Sequence, residues 1–350
     1  MSPCAFALEP GDDPRLAPWR ANVGAPVARD LAPADPAAGS AGGGTAALPL
    51  VVLSWNVWIG RGRLADLVRR VRAGDFAALG APAGAPLVVL AQEAYRADDT
   101  VPATPAPGAA RAVGAGLGRD FLGGEDVVLA AEALDMNLRY APSMRNGRHR
   151  SDRGNAVLST LPITAATALE LPPLLQRRVA VVTTVALPDG AGALQLASAH
   201  LDPRGPPGHR WLGGAGRARQ LARLLGHLDA GRTSPQVLGA DLNLGRGRRE
   251  PAWRLLEAAD FGMGHPPRVP LWSHTFHALP RLTLDYLLVR EADGRGSETA
   301  PRLARAEVHR LDEHPGDRGR TVFGSDHHPL LMSLELQPGL QPGLQPGPQP

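Results

Sequence analysis

A series of short apolar runs, each about one strand long and each closing on a polar residue, most restricts how this 350-residue chain can fold. Residues 48–53 (LPLVVL) lead into Ser54-Trp55-Asn56-Val57, residues 87–90 into Ala91-Gln92-Glu93, and residues 193–199 into His200. Residues 236–238 lead into Gly239-Ala240-Asp241-Leu242-Asn243. Further strands are predicted over 137–143, 155–160, 178–187, 284–289, 303–308 and 329–336. Runs with no polar face are strands covered on both sides, so helices or a second sheet must lie against them. Helical spacing supplies the cover. Leu64, Leu67, Val68 and Val71 predict a helix over 63–73, and Leu221, Leu224, Leu225 and Leu228 one over 215–229. Shorter helices are expected near 125–136 and 251–259. Strands with helices between them argue for α/β or α+β layers. Spacing alone does not choose between a Rossmann-like sheet and a two-sheet sandwich, but no GxGxxG follows the first strand, which disfavours dinucleotide binding.

The polar residues at the strand ends are where such layered proteins build sites. They are Asn56, Glu93, His200, Asp241 with Asn243, Asp285, and Asp326 with His327. Residues two apart in an extended chain share a face, so Asp241 and Asn243 are expected to point into one pocket. A carboxylate takes a proton from water, and an amide holds water and a phosphate oxygen. Hard oxygen donors beside imidazoles, with no thiol, suit Mg²⁺ or Mn²⁺ better than Zn²⁺. Such a set suits phosphoryl transfer.

Composition bounds the alternatives. All 37 basic residues are Arg, and the formal net charge is only +3, so a pI near 9.7 is no nucleic-acid footprint by itself. The single cysteine, Cys4, excludes an internal disulfide and a Cys-based metal cluster. No secretory start and no run approaching the ~20 apolar residues of a membrane span are read, so a cytoplasmic protein without stable membrane insertion is expected. Residues 1–47, rich in Pro, Gly and Ala, read as a flexible N-terminal segment, residues 48–336 as one catalytic domain, and 337–350, repeating Gln-Pro-Gly, as a disordered tail. Residues 98–116 read as an excursion without an element of its own.

The ordered set SWNV (54–57), QE (92–93), RGNAVLS (153–159), AHL (199–201), GADLN (239–243), LDYLLV (284–289) and SDHHP (325–329) resembles the endonuclease/exonuclease/phosphatase superfamily, over roughly residues 48–336. The resemblance implies a deoxyribonuclease I-like four-layer sandwich: two mixed β-sheets face to face, flanked by helices, with the active site at one end. It implies Glu93 as principal metal ligand, with Asn56 and Asp326 near that metal or a second one. Asp241 would orient or deprotonate the attacking water, Asn243 position the phosphate, and Asp285 hold His327 against it. His200 would act on the leaving oxygen or on a phosphate oxygen. Asn155, after Arg153-Gly154, matches a position where the family contacts phosphate or steadies the site. Thr283 stands where the family often has Arg, so a phosphate or structural role of that arginine is either missing here or taken over by Arg281. AHLDP argues against the apurinic endonucleases. The pattern is closer to deoxyribonuclease I, neutral sphingomyelinases, deadenylases and tyrosyl-DNA phosphodiesterases.

The expectation is therefore a Mg²⁺- or Mn²⁺-dependent phosphoester hydrolase. A nucleic-acid phosphodiester is the leading substrate, on the branch resemblance and the Arg-bearing loop at 145–153. A lipid or inositol phosphoester is the alternative enzyme reading, and an inactive binding module on the same fold the non-enzymatic one. His274 and His277, three apart, suggest a metal but read better as a loop over the site, and Trp55 reads as core.

Overall fold

The structure is a computed structural model that describes residues 6–31, 47–106, 124–147, 149–203, 213–262, 274–293, 300–314 and 318–339. In chain order its strands are β1 (Phe6–Glu9), β2 (Val27–Arg29), β3 (Leu48–Asn56), β4 (Leu87–Arg96), β5 (Asn137–Arg145), β6 (Asp152–Ser159) and β7 (Ile163–Leu171). They continue with β8 (Arg178–Ala186), β9 (Ala193–His200), β10 (Gln236–Asp241), β11 (Asp285–Arg290), β12 (Arg302–Arg310) and β13 (Leu330–Gln337). The helices are α1 (Ala17–Arg20), α2 (Leu64–Ala73), α3 (Val127–Ala133), α4 (Gly214–Ala230) and α5 (Pro251–Ala258).

The strands form two mixed sheets. One runs β1-β7-β8-β9-β10-β11, the other β12-β13-β3-β4-β6-β5-β2. Successive side chains of a strand point to opposite faces, and the apolar runs divide accordingly. Val51, Leu53, Trp55, Leu87 and Val89 face α2 and α3, packing with Leu67, Val68, Val71, Val127 and Ala130. Their neighbours Leu50, Val52, Val88 and Leu90 face the other sheet, packing with Leu194, Leu196, Val237, Leu287 and Val289. Across that sheet, Leu238, Ala240, Tyr286 and Leu288 meet Leu221, Leu224, Leu228, Trp253 and Leu256 of α4 and α5. The result is the expected four-layer sandwich. A one-residue slip would exchange the two faces of a strand, so the packing fixes the register that brings the strand ends together.

Gly239 approaches the facing sheet. A Cβ there would lie 2.6 Å from Leu90 Cδ1 and 2.7 Å from Ser54 Oγ. Its small size therefore lets the sheets close.

The structure differs from the sequence expectations in two places. β7 (ITAATALEL) is not predicted by pattern, because its Ala-rich first half carries little β propensity. Residues 6–31, inside the stretch read as flexible, are ordered onto both sheets: β1 pairs parallel with β7, and β2 pairs antiparallel with β5. Leu16 and Trp19 are buried, and the Arg20 guanidinium pairs with the buried Glu170 carboxylate. A few apolar anchors at proper spacing outweigh the Pro/Gly composition. Residues 1–5, 32–46 and 340–350, also within the two termini read as flexible, lie outside the described residues.

The 98–106 part of the excursion is tied down by Arg145, which donates to the carbonyls of Pro102 and Ala103, and by Arg150, which donates to those of Asp99 and Val101. Residues 107–123 lie outside the described residues. No helix among the described residues is long and apolar enough to cross a membrane.

Candidate active site

Register brings one half of the site together. Asp241, the last residue of β10, pairs with His200 on β9 and with Asp285 on β11, so three polar strand ends lie in one row of one sheet. The other sheet supplies Asn56 at the end of β3, opposite Gln92 on β4. Glu93 follows at a β-bulge, where the pairing of β4 with β6 shifts between Ala91 and Ala94. Its φ of 52° is a left-handed value that a non-glycine residue rarely adopts. The bulge turns the Glu93 side chain out of the strand's alternation, as bulges beside functional sites do. Gln92 is wholly buried and ties the sheets together, its amide donating to Ser198 Oγ (3.1 Å) and the Gly239 carbonyl (3.3 Å).

Asp241 is the hub. Its Oδ2 accepts from Asn56 Nδ2 at 3.0 Å and lies 3.3 Å from His200 Nε2 and 4.0 Å from His327 Nε2. Its Oδ1 accepts from the Asn243 backbone N–H at 3.1 Å. Asn243 does not reach the site by strand alternation. β10 ends at Asp241, Asn243 has a left-handed φ of 52°, and its Nδ2 donates to the Leu201 carbonyl. The chain turns at Asn243, and the turn, not the pleat, holds it beside Asp241. Burial, with the Asp285 charge added, pushes the Asp241 carboxyl up to about 7 against the opposing pull of His327 and Asn56.

His327 and Asp285 form a dyad, with Nδ1 2.7 Å from Asp285 Oδ2. Burial alone would lower the imidazole's pKa, but the Asp285 charge and hydrogen bond, helped by Asp241 and Asp326, raise it to about 10. The dyad is well held. Thr275 Oγ1 accepts from the Leu284 and Asp285 backbone N–H groups, Trp55 Nε1 donates to the His327 carbonyl, and the Phe276 ring packs on the imidazole. Trp55 is a core residue, as the sequence suggests. Asp326 has an Oδ1 that is buried with no hydrogen-bond partner among the described residues, 4.0 Å from His327 Nε2. Burial drives this carboxyl up to about 6, with the Glu93 and Asp285 charges adding to the rise and His327 opposing it.

His200 differs. Burial first, then the positive charges of Arg178, His327 and Arg153, hold its pKa well below the usual value, so the imidazole is neutral at pH 7. Its Nδ1 lies 3.8 Å from Glu93 Oε1. Arg153 donates to Asn146 Oδ1 at 2.7 Å, and the Glu93 charge acts on it. Asn155 is buried, with Nδ2 donating to the Val179 carbonyl at 2.6 Å. Sequence reasoning missed Arg178, which is buried and pairs with Asp202 Oδ1 at 3.2 Å. A charged residue opening an otherwise apolar strand was the available signal. Arg281, the suggested replacement for the family's arginine, is exposed.

The sequence profile of the Endonuclease/Exonuclease/phosphatase family matches residues 53–327. Among solved structures, an endonuclease/exonuclease/phosphatase protein from Beutenbergia cavernae DSM 12333 superposes with a TM-score of 0.53 at 19% identity, over 83% of this chain and 72% of that one. The protein SmcL superposes with a TM-score of 0.51 at 15% identity, over 82% of this chain and 99% of that one. At these identities the superpositions speak to the fold. No sequence among curated proteins matches significantly. With the family profile spanning most of the chain and the four-layer fold in place, this protein belongs to the Endonuclease/Exonuclease/phosphatase family, a superfamily of phosphoesterases.

Proposed function

We propose that this protein is a divalent-metal-dependent phosphodiesterase whose attacking water is activated by Asp241. The supporting observation is the position of that carboxylate: fixed by Asn56, flanked by two imidazoles of opposite charge state, and poised near pH 7.

Glu93, Asn56 and Asp326 fit a hard cation. All three offer oxygen, and the Asp326 carboxyl is half-buried beside other negative charges, with Oδ1 buried and unpartnered among the described residues. Mg²⁺ or Mn²⁺ bound there would neutralise phosphate oxygens as negative charge develops on them. Asp241 takes the proton of the incoming water, and Asn56 keeps its carboxylate aimed. The His327 imidazolium, oriented by Asp285, binds a phosphate oxygen. His200 supplies a hydrogen bond from a neutral ring, and Arg153 and Arg178 set a positive field behind it. Asn243 and Asn155 position the phosphate and steady the turn and strand that carry it.

Nucleic acid is the first substrate to test. The loop arginines Arg145 and Arg150, part of the case for it, bind carbonyls of residues 99–103. The positive charge felt at His200 comes from Arg178 and Arg153 instead. The test is hydrolysis of DNA, RNA, sphingomyelin, a phosphoinositide and bis(p-nitrophenyl) phosphate with Mg²⁺, Mn²⁺ or chelator. Metal-dependent turnover of a phosphodiester, abolished by chelator and reduced by orders of magnitude in Glu93→Gln, is expected. Absence of turnover on every substrate, or full activity in Glu93→Gln, overturns the reading.

A further inference from the structure

Directly behind the Asp285–His327 dyad lies a second cluster that the proposed chemistry does not use. His274, His277 and His328 are all buried, and one ring nitrogen of each lies within 4.8 Å of the others. They come from two segments cross-linked by backbone hydrogen bonds, His328 N–H to the Thr275 carbonyl and His277 N–H to the Asp326 carbonyl, both 2.7 Å.

The surroundings assign the protons of two rings. His328 Nδ1 faces two acceptors, Asp312 Oδ1 at 2.9 Å and the Leu311 carbonyl at 3.2 Å. Its proton therefore belongs on Nδ1, and Nε2 presents a lone pair. His277 Nε2 faces the Gly319 carbonyl at 3.1 Å, so its proton belongs on Nε2 and Nδ1 presents a lone pair. These two lone-pair nitrogens, His328 Nε2 and His277 Nδ1, face each other at 3.2 Å. Two lone pairs at that distance repel unless a cation lies between them.

A shared proton or a metal ion would answer this, and two features favour the metal. Ligands about 2.0–2.1 Å from a tetrahedral Zn²⁺ lie roughly 3.3–3.4 Å apart, close to the observed separation. Asp312 joined to His328 through the far nitrogen is the carboxylate–histidine arrangement that orients metal-bound imidazoles. His274 offers the third nitrogen: its ring stands edge-on to His328 at 5.2 Å between centroids, and Arg310 Nη1 donates to its carbonyl at 2.8 Å and lies 3.4 Å from its Nδ1.

We propose that His274, His277 and His328 form a structural site for an imidazole-preferring transition ion, Zn²⁺ foremost. It is separate from the oxygen-rich cation site at Glu93. The ion would pin the 274–277 segment to the 325–328 segment and to the carbonyl of Gly319, stiffening the wall on which His327 and Asp285 stand. Imidazole nitrogens select Zn²⁺, Co²⁺ or Cu²⁺ over Mg²⁺.

The test loads metal-stripped full-length protein with Co²⁺ and with Zn²⁺. Glu93→Gln silences the oxygen-rich site. Wild type and Glu93→Gln should each take up one Co²⁺ with the intense visible absorption of a four-coordinate nitrogen site, and Zn²⁺ should displace it and raise Tm. X-ray absorption at the zinc edge of loaded Glu93→Gln should count three imidazoles. His277→Gln and His274→Gln, checked for fold by circular dichroism, should bind at least tenfold more weakly and lose the absorption. A wild type without that absorption, an oxygen-rich zinc environment in Glu93→Gln, or undiminished binding in both histidine variants overturns the proposal. A histidine pair that shares a proton and takes up no metal overturns it too.

Discussion

His200 and His327 reach the same carboxylate oxygen, their Nε2 atoms 3.3 and 4.0 Å from Asp241 Oδ2, yet the fold drives them to opposite charge states. Both are buried. His327 is turned into a cation by three carboxylates, Asp285 foremost, whereas His200 is kept neutral by burial and by Arg178 and Arg153 behind it. Identical side chains thus take different roles because their far-side partners differ. The pair also divides by sheet architecture. His200 is a register position on a central strand, while His327 rides the segment leading into β13 and is fixed by contacts from Phe276 and Trp55.

The largest effect should come from removing what the two imidazoles share. Asp241→Asn keeps the shape and the Asn56 neighbour but cannot accept the water's proton. General-base assistance is worth roughly 10²–10⁴-fold, so kcat should fall by about that much on natural and activated phosphodiesters alike. Steady-state rates on both substrate types check it. A loss confined to one type would place Asp241 elsewhere in the reaction.

How much of this is legible in the sequence follows from the same comparison. Strand ends with a short polar motif, such as Asn56, Asp241 and Asp285, are readable, because an apolar run fixes where a strand stops and pairing aligns the stops. The four layers are legible through the family resemblance, since strand spacing alone leaves two architectures open. What the residues do electrically is not legible. The charge states of His200 and His327 depend on Arg178, Arg153 and Asp285, which are distant in sequence and meet only through packing. The same holds for His328, which pairs with Asp312 and faces His277 although its neighbour His327 faces Asp285 and Asp241. The bulge at Glu93 and the left-handed turn at Asn243 are local backbone departures that no period-2 pattern encodes. Residues 6–31 are hidden by composition, which averages over the few anchors that matter.

The next effect isolates the His327 side. Asp285→Asn removes the principal source of its high pKa, leaving burial to push the imidazole toward neutrality. In the chelator-treated protein, the His327 ring should titrate near pH 10 in wild type and well below that in the variant, as followed by NMR of the imidazole carbons. The linkage sign follows. A folded pKa raised above 6.5 gives stability that is fully present below pH 6.5 and is lost as pH rises through about 10. Wild-type denaturation midpoints should therefore decline over that window, and those of Asp285→Asn should decline less. A charge-assisted hydrogen bond is worth roughly 1.5–3 kcal/mol, so kcat/KM should drop by about 10- to 100-fold in the variant. An unmoved His327 titration would show that Asp285 does not set its charge.

The smallest effect, and the sharpest discriminator, concerns His200. Sequence leaves two roles open: protonating the leaving oxygen or bonding a phosphate oxygen. A proton donor to an alkoxide must arrive protonated, and the buried, Arg-flanked His200 is neutral near pH 7. A neutral ring can still donate one N–H bond to a phosphate oxygen, and that bond strengthens as charge builds there. Its loss costs the same whatever the leaving group. His200→Ala should then slow a sugar-alkoxide diester and a nitrophenyl diester by similar factors, about tenfold for a bond of roughly 1.5 kcal/mol. General-acid help would instead spare the nitrophenyl substrate, whose leaving group needs no proton. Arg178→Gln adds a control, because weakening the positive field should raise the His200 pKa. If kcat/KM for the alkoxide substrate rises selectively at low pH in Arg178→Gln, His200 is an acid restrained by its neighbour. If both substrates respond equally, it is a neutral anchor, and the contrast with His327 stands.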